Sequence, residues 1–316
     1  GLGDVYKRQG QVSLAAGNIG YPFSDAVLSE ANQSEAYVVL EISSFQAELA
    51  DDLQLDGLLW TNFAEDHLDR YGSMPRYFQA KARLFNCLKR DGICVIGSQA
   101  ADYMATQPKT FDGCSIAHEV TDPVLQLEAN SVFQRLPYSK NFSIAIELWR
   151  LMNKTNATLI EAANTYVLPP YRLDVVAECE SVSFWNDSKA TNFHATLGAL
   201  RSINRPIVWI GGGRARGGDI EAFAQQVGSL VDIAILYGEV AERLAKALRS
   251  FLEPVHIHKH LDHAITAAAE LAAKIPQANV LFSPGFASYD QFDSFAARGK
   301  SFNDTVLSLK NAHKPN

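Results

Sequence analysis

Short apolar runs of strand length alternate with stretches of helical periodicity along this chain, and that alternation leaves few folds open. AYVVLEI (36–42), GLLWTNF (57–63) and GICVIG (92–97) are mainly apolar runs, as strands buried on both faces require. A helical pattern over 74–88 separates the last two, and another runs from about 141 to 164. VLPPYRLDVV (167–176) then sets a Pro-Pro pair between two patterned regions and marks a domain boundary. Beyond it, SVSFWND (181–187), PIVWIGGG (206–213), DIAILYG (232–238) and NVLFSPG (279–285) read as strands. Helical stretches come after them over 193–200, 220–227, to about 251 and through about 309. The expectation is an α/β protein of two doubly wound domains, residues 10–170 and residues 171–316. In such sheets ligands bind beyond the carboxyl ends of the strands.

Composition removes several function classes. The chain has 316 residues and a net charge of −7, which argues against nonspecific nucleic-acid binding, since the phosphate backbone demands a basic surface. No apolar run approaches the roughly 20 residues of a membrane helix, and no signal-peptide pattern is present. Cys87, Cys94, Cys114 and Cys179 lack CxxC spacing and read as scattered, reduced thiols of a cytoplasmic protein. The opening GLGDVYKRQ is polar and aperiodic, joins abruptly to the patterned chain after it, and reads as a scar rather than as part of the fold.

Seven places carry candidate chemistry, each with a plainer reading beside it. Glu41 ends an apolar run at a crevice edge, and Ser43 with Gln46 fits a capping box, so the segment reads as a metal–phosphate site or as a strand end with a helix cap. His67 sits among Glu65, Asp66 and Asp69, either as a metal ligand or near-neutral titrating group, or as a solvated loop histidine. Lys81 falls on a helical face with Tyr77, Phe85 and Leu88; it snorkels, or it faces inward for a chemical reason. In WNDSKATN (185–192), Thr191 or Asn192 can cap the next helix, whose N-terminus favours anions, and Lys189 adds a charge; the alternative is a polar turn. GGRARGGDI (212–220) offers backbone N–H groups with Arg214 and Arg216, or is an ordinary glycine turn. Ser288 and Gln291 have capping-box spacing at an expected helix start, where a hydroxyl either binds a carboxylate or simply caps. His256, His258 and His260 alternate as a strand-borne metal set would, but no cysteine or carboxylate completes one, and an exposed strand or loop is the simpler reading.

Taken in order, GNIG (17–20), EISSFQAE (41–48), AEDHLDRY (64–71), Lys81, NDSKATN (186–192) and SPGFASYDQF (283–292) resemble the Mur ligase family, in its D-glutamate-adding branch. The likeness covers nearly all of the chain from about Ala15 onward. It implies a central ATP-binding domain and then a Rossmann-like C-terminal domain that takes amino acid and nucleotide. It implies an ATP- and magnesium-dependent amide ligase of peptidoglycan precursor synthesis, cytoplasmic and monomeric, acting on UDP-N-acetylmuramoyl-L-alanine and D-glutamate through an acyl phosphate. Carried over by resemblance, Glu41, His67 and Lys81, the last as a carbamate, hold magnesium. Lys81, His67 and Lys189 are the catalytic set. Asn141, Arg172, Asp187 and Lys189 meet the nucleotide. Asn18, Ser43, Gln46 and His67 lie near the muramoyl-peptide end, while Thr191, Arg216, Ser288, Tyr289 and Phe295 form the D-glutamate pocket.

Three departures from the family pattern stand out. The G-x-x-G-K-[ST] phosphate loop expected before GNIG is absent, as is the domain before it, so the chain as given is expected to fold without turning over ATP. The family's adenine motif G-x-H-N-x-x-N is eroded to Tyr138, Lys140, Asn141 and Ile144, and Arg216 stands where many members have lysine. A degenerate, non-catalytic nucleotide-binding protein is one rival reading, and another Mur or folylpolyglutamate-type ligase is the second; NDSKATN and ASYDQF argue against the latter.

Overall fold

A computed structural model describes residues 12–18, 21–30, 32–107, 113–117, 127–179 and 181–312. The opening GLGDVYKRQ and the second half of GNIG lie outside the described residues. The chain forms two compact units, one of residues 1–64 and 71–167, the other of residues 65–70 and 168–316.

The first unit opens with β1 (Ser13–Gly17), α1 (Phe23–Leu28), β2 (Tyr37–Glu41) and α2 (Ser44–Ala47). β1 and β2 pair in parallel, with Gly17 opposite Glu41. Then come β3 (Leu55–Trp60), α3 (Met74–Ala82), β4 (Leu88–Gly97), α4 (Ser98–Ala105) and β5 (Ser115–Ala117). β3, β4 and β5 make a parallel three-stranded sheet. The helical pattern expected over 74–88 breaks: a 3-10 turn occupies Arg83–Cys87, and Leu88 already starts β4. The long pattern of 141–164 resolves into α5 (Tyr138–Leu151) and α6 (Asn156–Thr165). The expectation of four reduced cysteines is corrected, because Cys94 of β4 and Cys114, the residue before β5, are joined as a disulfide, with Cα atoms 4.7 Å apart.

The second unit holds β6 (Asp174–Cys179), β7 (Val182–Asn186), α7 (Phe193–Ser202), β8 (Ile207–Gly212), α8 (Ile220–Leu230) and β9 (Ile233–Tyr237). α9 (Ala241–Leu248), β10 (Val255–His258), α10 (Leu261–Ala272), β11 (Asn279–Gly285) and α11 (Phe295–Ala312) complete it. Six strands lie in the order β10-β9-β8-β11-β7-β6, all parallel except β6, which runs against β7. Strand pleating sends alternate residues to opposite faces. Ile207 and Trp209 therefore join Phe223, Leu244 and Leu281 in one core, while Val208 and Ile210 join Ile265, Phe282 and Phe302 in the other. β11, last in sequence, inserts between β7 and β8. That insertion sets three turns side by side at the carboxyl ends of adjacent strands, where an open α/β sheet binds ligands.

Candidate active site

The turn after β7 is NDSKATN. Asn192 caps α7, its side chain accepting from the Ala195 N–H at 2.9 Å. Asp187 beside it is 8% exposed and accepts from Ser283 Oγ at 2.8 Å. Burial pushes its carboxyl up to about 7, against the opposing pull of the Ser283 hydrogen bond and the Arg172 charge. Asp187 thus changes protonation near neutral pH. Lys189 lies with its ammonium 4.2 Å from the centre of the Phe295 ring, at the entry to α11.

The turn after β8 carries Arg214 and Arg216. It is stitched to the turn after β11 by paired backbone bonds, Arg214 N–H to Ala287 O at 2.8 Å and Ala287 N–H to Arg214 O at 3.1 Å. Gly213, with φ of 127°, takes a conformation that L side chains rarely adopt and lets the two turns approach. Thr191 and Arg216 line one depression with Phe193, Gly218 and Phe286. The Arg216 guanidinium stands 5.4 Å from the Tyr289 ring centre, which makes Tyr289, 56% exposed, part of the same rim. Ser288 departs from its expected place. It is 2% exposed and precedes α11, whose first turn is capped by Ser294 Oγ accepting from the Ala297 N–H at 3.0 Å. Ser288 and Phe295 are therefore not two turns of one helix.

Residues 65–70 group with the second unit. Asp66 accepts from Asn192 Nδ2 at 3.1 Å and from the His67 N–H at 2.9 Å. His67 has φ of 53°, and its Nε2 is 3.9 Å from Asp66 Oδ2.

In the first unit, Asn18 and Glu41 meet at the carboxyl ends of β1 and β2, Asn18 Nδ2 donating to Glu41 Oε1 at 3.1 Å. Ser43 and Gln46 form the full capping box of α2: Ser43 Oγ accepts from the Gln46 N–H at 3.3 Å, and Gln46 Oε1 accepts from the Ser43 N–H at 2.9 Å. Glu41 and Gln46 share the wall of a concavity with Gly17, Leu40 and Leu53. Lys81 is half-buried on α3, its ammonium 5.4 Å from the Tyr77 ring centre. Asn141 is exposed on α5. The resemblance-derived metal set is thus divided, Glu41 and Lys81 in the first unit and His67 in the segment grouped with the second. Among the described residues no three His, Cys, Asp or Glu side chains gather as a metal-holding group, and that covers His256 and His258 of β10 with His260 just after it.

Arg298 escaped the sequence reading. It is buried on α11 beneath the turns, and its signal was the one noticed for Lys81, a cation on an apolar helical stripe with Phe302 and Val306.

Each unit by itself sets polar turns at the carboxyl ends of parallel strands, which defines the class of ligand-binding open α/β folds. Residues 16–157 match the Mur ligase middle domain, and residues 171–286 match the Mur ligase glutamate ligase domain. The UDP-N-acetylmuramoylalanine–D-glutamate ligase of Thermosynechococcus vestitus is 30% identical over 96% of this chain and 71% of its own length. Its namesake in Synechocystis is 31% identical over 96% of this chain and 72% of its own. Among solved structures, the MurF ligase of Thermotoga maritima in complex with ADP shares the fold with a TM-score of 0.71 and 15% identity, over 99% of this chain and 77% of that one. The chain belongs to the Mur ligase family.

Proposed function

We propose that the chain supplies the amino-acid and nucleotide turns of an ATP-dependent ligase that joins D-glutamate to UDP-N-acetylmuramoyl-L-alanine, a step of peptidoglycan precursor synthesis in the cytoplasm. The observation that carries this reading is the convergence of the turns after β7, β8 and β11, bearing Lys189, Arg216 and the N-terminus of α7. D-glutamate brings two carboxylates, and cations with helix N–H groups are what such an anion needs. Thr191, Arg216, Ser288, Tyr289 and Phe295 form its pocket. Arg172, Asp187, Lys189 and, from the first unit, Asn141 contact the nucleotide. Asn18, Ser43, Gln46 and His67 receive the muramoyl-peptide end.

In the reaction, a carboxylate oxygen of the muramoyl peptide attacks the γ-phosphorus of ATP, and ADP leaves. The unprotonated amine of D-glutamate then attacks the acyl carbon, and inorganic phosphate leaves with the oxygen that carried it and takes up the proton that the nitrogen sheds. Both steps depend on positioning and on neutralising phosphate charge, which Lys189 and Arg172 supply. Glu41 is exposed at the end of β2 and presents the hard oxygen donors that magnesium takes. Glu41, His67 and a carbamate on Lys81 would hold that ion, which supplies further neutralisation of the phosphates.

Calorimetry with the chain as given tests the pocket. D-glutamate should bind, and L-glutamate should bind far more weakly. Equal binding of the two, or none of either, overturns the assignment. The Lys81 carbamate is tested by carbon-13 spectroscopy after equilibration with labelled bicarbonate, where Lys81→Ala should remove the carbamate signal.

A further inference from the structure

The C-terminal helix carries one residue at odds with its setting. Arg298, Phe302 and Val306 share a stripe of α11, and all three are buried, Arg298 to 0% exposure. A guanidinium stays charged at any pH a protein tolerates, and burying it without an anion is costly. Each hydrogen bond that Arg298 donates among the described residues nevertheless ends on a hydroxyl or a carbonyl. Nε reaches Ser188 Oγ at 3.0 Å, and Nη2 reaches Ser188 O at 2.8 Å. Nη1 reaches Phe286 O at 3.0 Å and the Tyr237 hydroxyl at 3.4 Å. Ser188 Oγ in turn donates to Phe295 O at 2.8 Å.

These acceptors belong to separate segments: the turn after β7, the turn after β11, the end of β9 and the entry to α11. Space filling alone would favour an apolar side chain, as at Phe302 and Val306. A planar fork of fixed donors holds several acceptors at set angles, which a lysine with one nitrogen cannot do. The residues so tied adjoin the ligand-facing groups. Ser188 precedes Lys189, Phe286 lies two residues before Ser288, and Phe295 meets Lys189 through its ring.

We propose that Arg298 is a positioning residue whose buried guanidinium locks the Ser188–Lys189 turn, the Phe286 turn and Phe295 into one arrangement before any anionic ligand arrives. Fixing these groups in advance lowers the ordering cost of binding. The ligand's identity rests on the D-glutamate reading above; the clamp rests on the hydrogen bonds alone.

Hydrogen exchange without ligand tests it on the whole chain, comparing Arg298→Gln and Arg298→Lys with Phe302→Ala, an equally buried control on the same stripe. Both Arg298 variants should raise exchange over residues 186–192 and 284–295 roughly tenfold, the scale expected when charge-assisted hydrogen bonds are lost, while β8 and β9 keep their protection. Phe302→Ala should not single out those turns. The D-glutamate dissociation constant should rise about tenfold in both Arg298 variants and little in the control. Should Arg298→Gln fail to fold, the lysine variant carries the test. Wild-type protection in Arg298→Lys would show that charge alone suffices and overturn the clamp. So would loosening spread as evenly as in Phe302→Ala. Loosened turns in a chain whose wild type binds no D-glutamate would uphold the clamp and defeat the ligand reading.

Discussion

In the second unit β8 and β9 are buried along their whole length, whereas in the first unit every residue of β2 is half-buried or exposed. The second unit stacks helices on both faces of six strands, and the turns after β7, β8 and β11 spring from the middle of that sheet. Glu41 and the α2 capping box spring from a parallel pair of strands, with Val38, Phe45 and Leu49 exposed nearby. Local stability depends on buried apolar contact. The two units therefore differ at these places: the turns after β7, β8 and β11 spring from strands flanked by two cores, whereas Glu41 ends a strand with no fully buried residue, although Ala47 of α2 packs into a core of its own unit.

Cutting into each unit puts that contrast to its most severe test. Trp209 is 0% exposed and its indole N–H donates to Ser283 O at 2.8 Å. Trp209→Ala should cost about 3–5 kcal/mol in urea denaturation. Val38→Ala, at a 38% exposed position, should stay within about 0.5 kcal/mol. Similar losses at the two sites would erase the distinction.

Next in size is a pH effect confined to the second unit. The Asp187 carboxyl titrates at about 7 when folded, against 3.8 as its ordinary value. Between those values the folded unit keeps a proton that the unfolded chain releases. The stabilisation is full below the unfolded value and is lost as pH rises through the folded one, with a slope approaching about 1.4 kcal/mol per pH unit. Asp187→Asn should flatten that part of the profile when denaturation is repeated from pH 4 to pH 8. An unchanged slope would place the titration elsewhere.

At the ligand the contrast is milder. Arg216→Ala should weaken D-glutamate binding by roughly 10-fold to 150-fold, the equivalent of about 1.5–3 kcal/mol for a charged hydrogen bond, and should leave nucleotide binding nearly intact. Equal losses for both ligands would assign Arg216 to the nucleotide. The least change belongs to the first unit: Ser43→Ala removes one arm of the α2 cap and should cost about 1 kcal/mol there. Amide exchange over 43–50 should rise while the second unit's strands stay protected.

Much of this architecture was legible because its causes are local. Apolar runs of strand length became β2, β3, β7, β8, β9 and β11, and Glu41, Lys189, Thr191, Arg216, Ser288 and Tyr289 fell at their ends or in the turns after them, while Lys81 and Asn141 sit on helices. Several elements went unread, β1, β5, β6, α4 and α10 among them, and two of the departures have a clear physical cause. β6 is an antiparallel edge strand with exposed Val175 and Glu178, so it lacks a continuous apolar run. The helical period at Lys81 continues past Ala82, yet the backbone tightens into a 3-10 turn that delivers Leu88 to the sheet.

The two S-x-x-Q strings mark where local causes end. At Ser43 and Gln46 both arms of the box close, since every partner lies within three residues and needs nothing from the rest of the chain. At Ser288 and Gln291 the spacing is identical, but the Gln291 side-chain amide donates to Lys259 O at 2.7 Å and the helix starts only at Phe295. Neighbouring residues alone account for the strands, the first cap and the polar character of the turns, because backbone geometry and short-range hydrogen bonds are set within a few positions of the chain. It took the assembled fold to place β11 between β7 and β8 and to bring Arg298 to Ser188 across 110 residues. Those contacts form only when a buried sheet brings distant segments together and leaves a guanidinium no water to turn to.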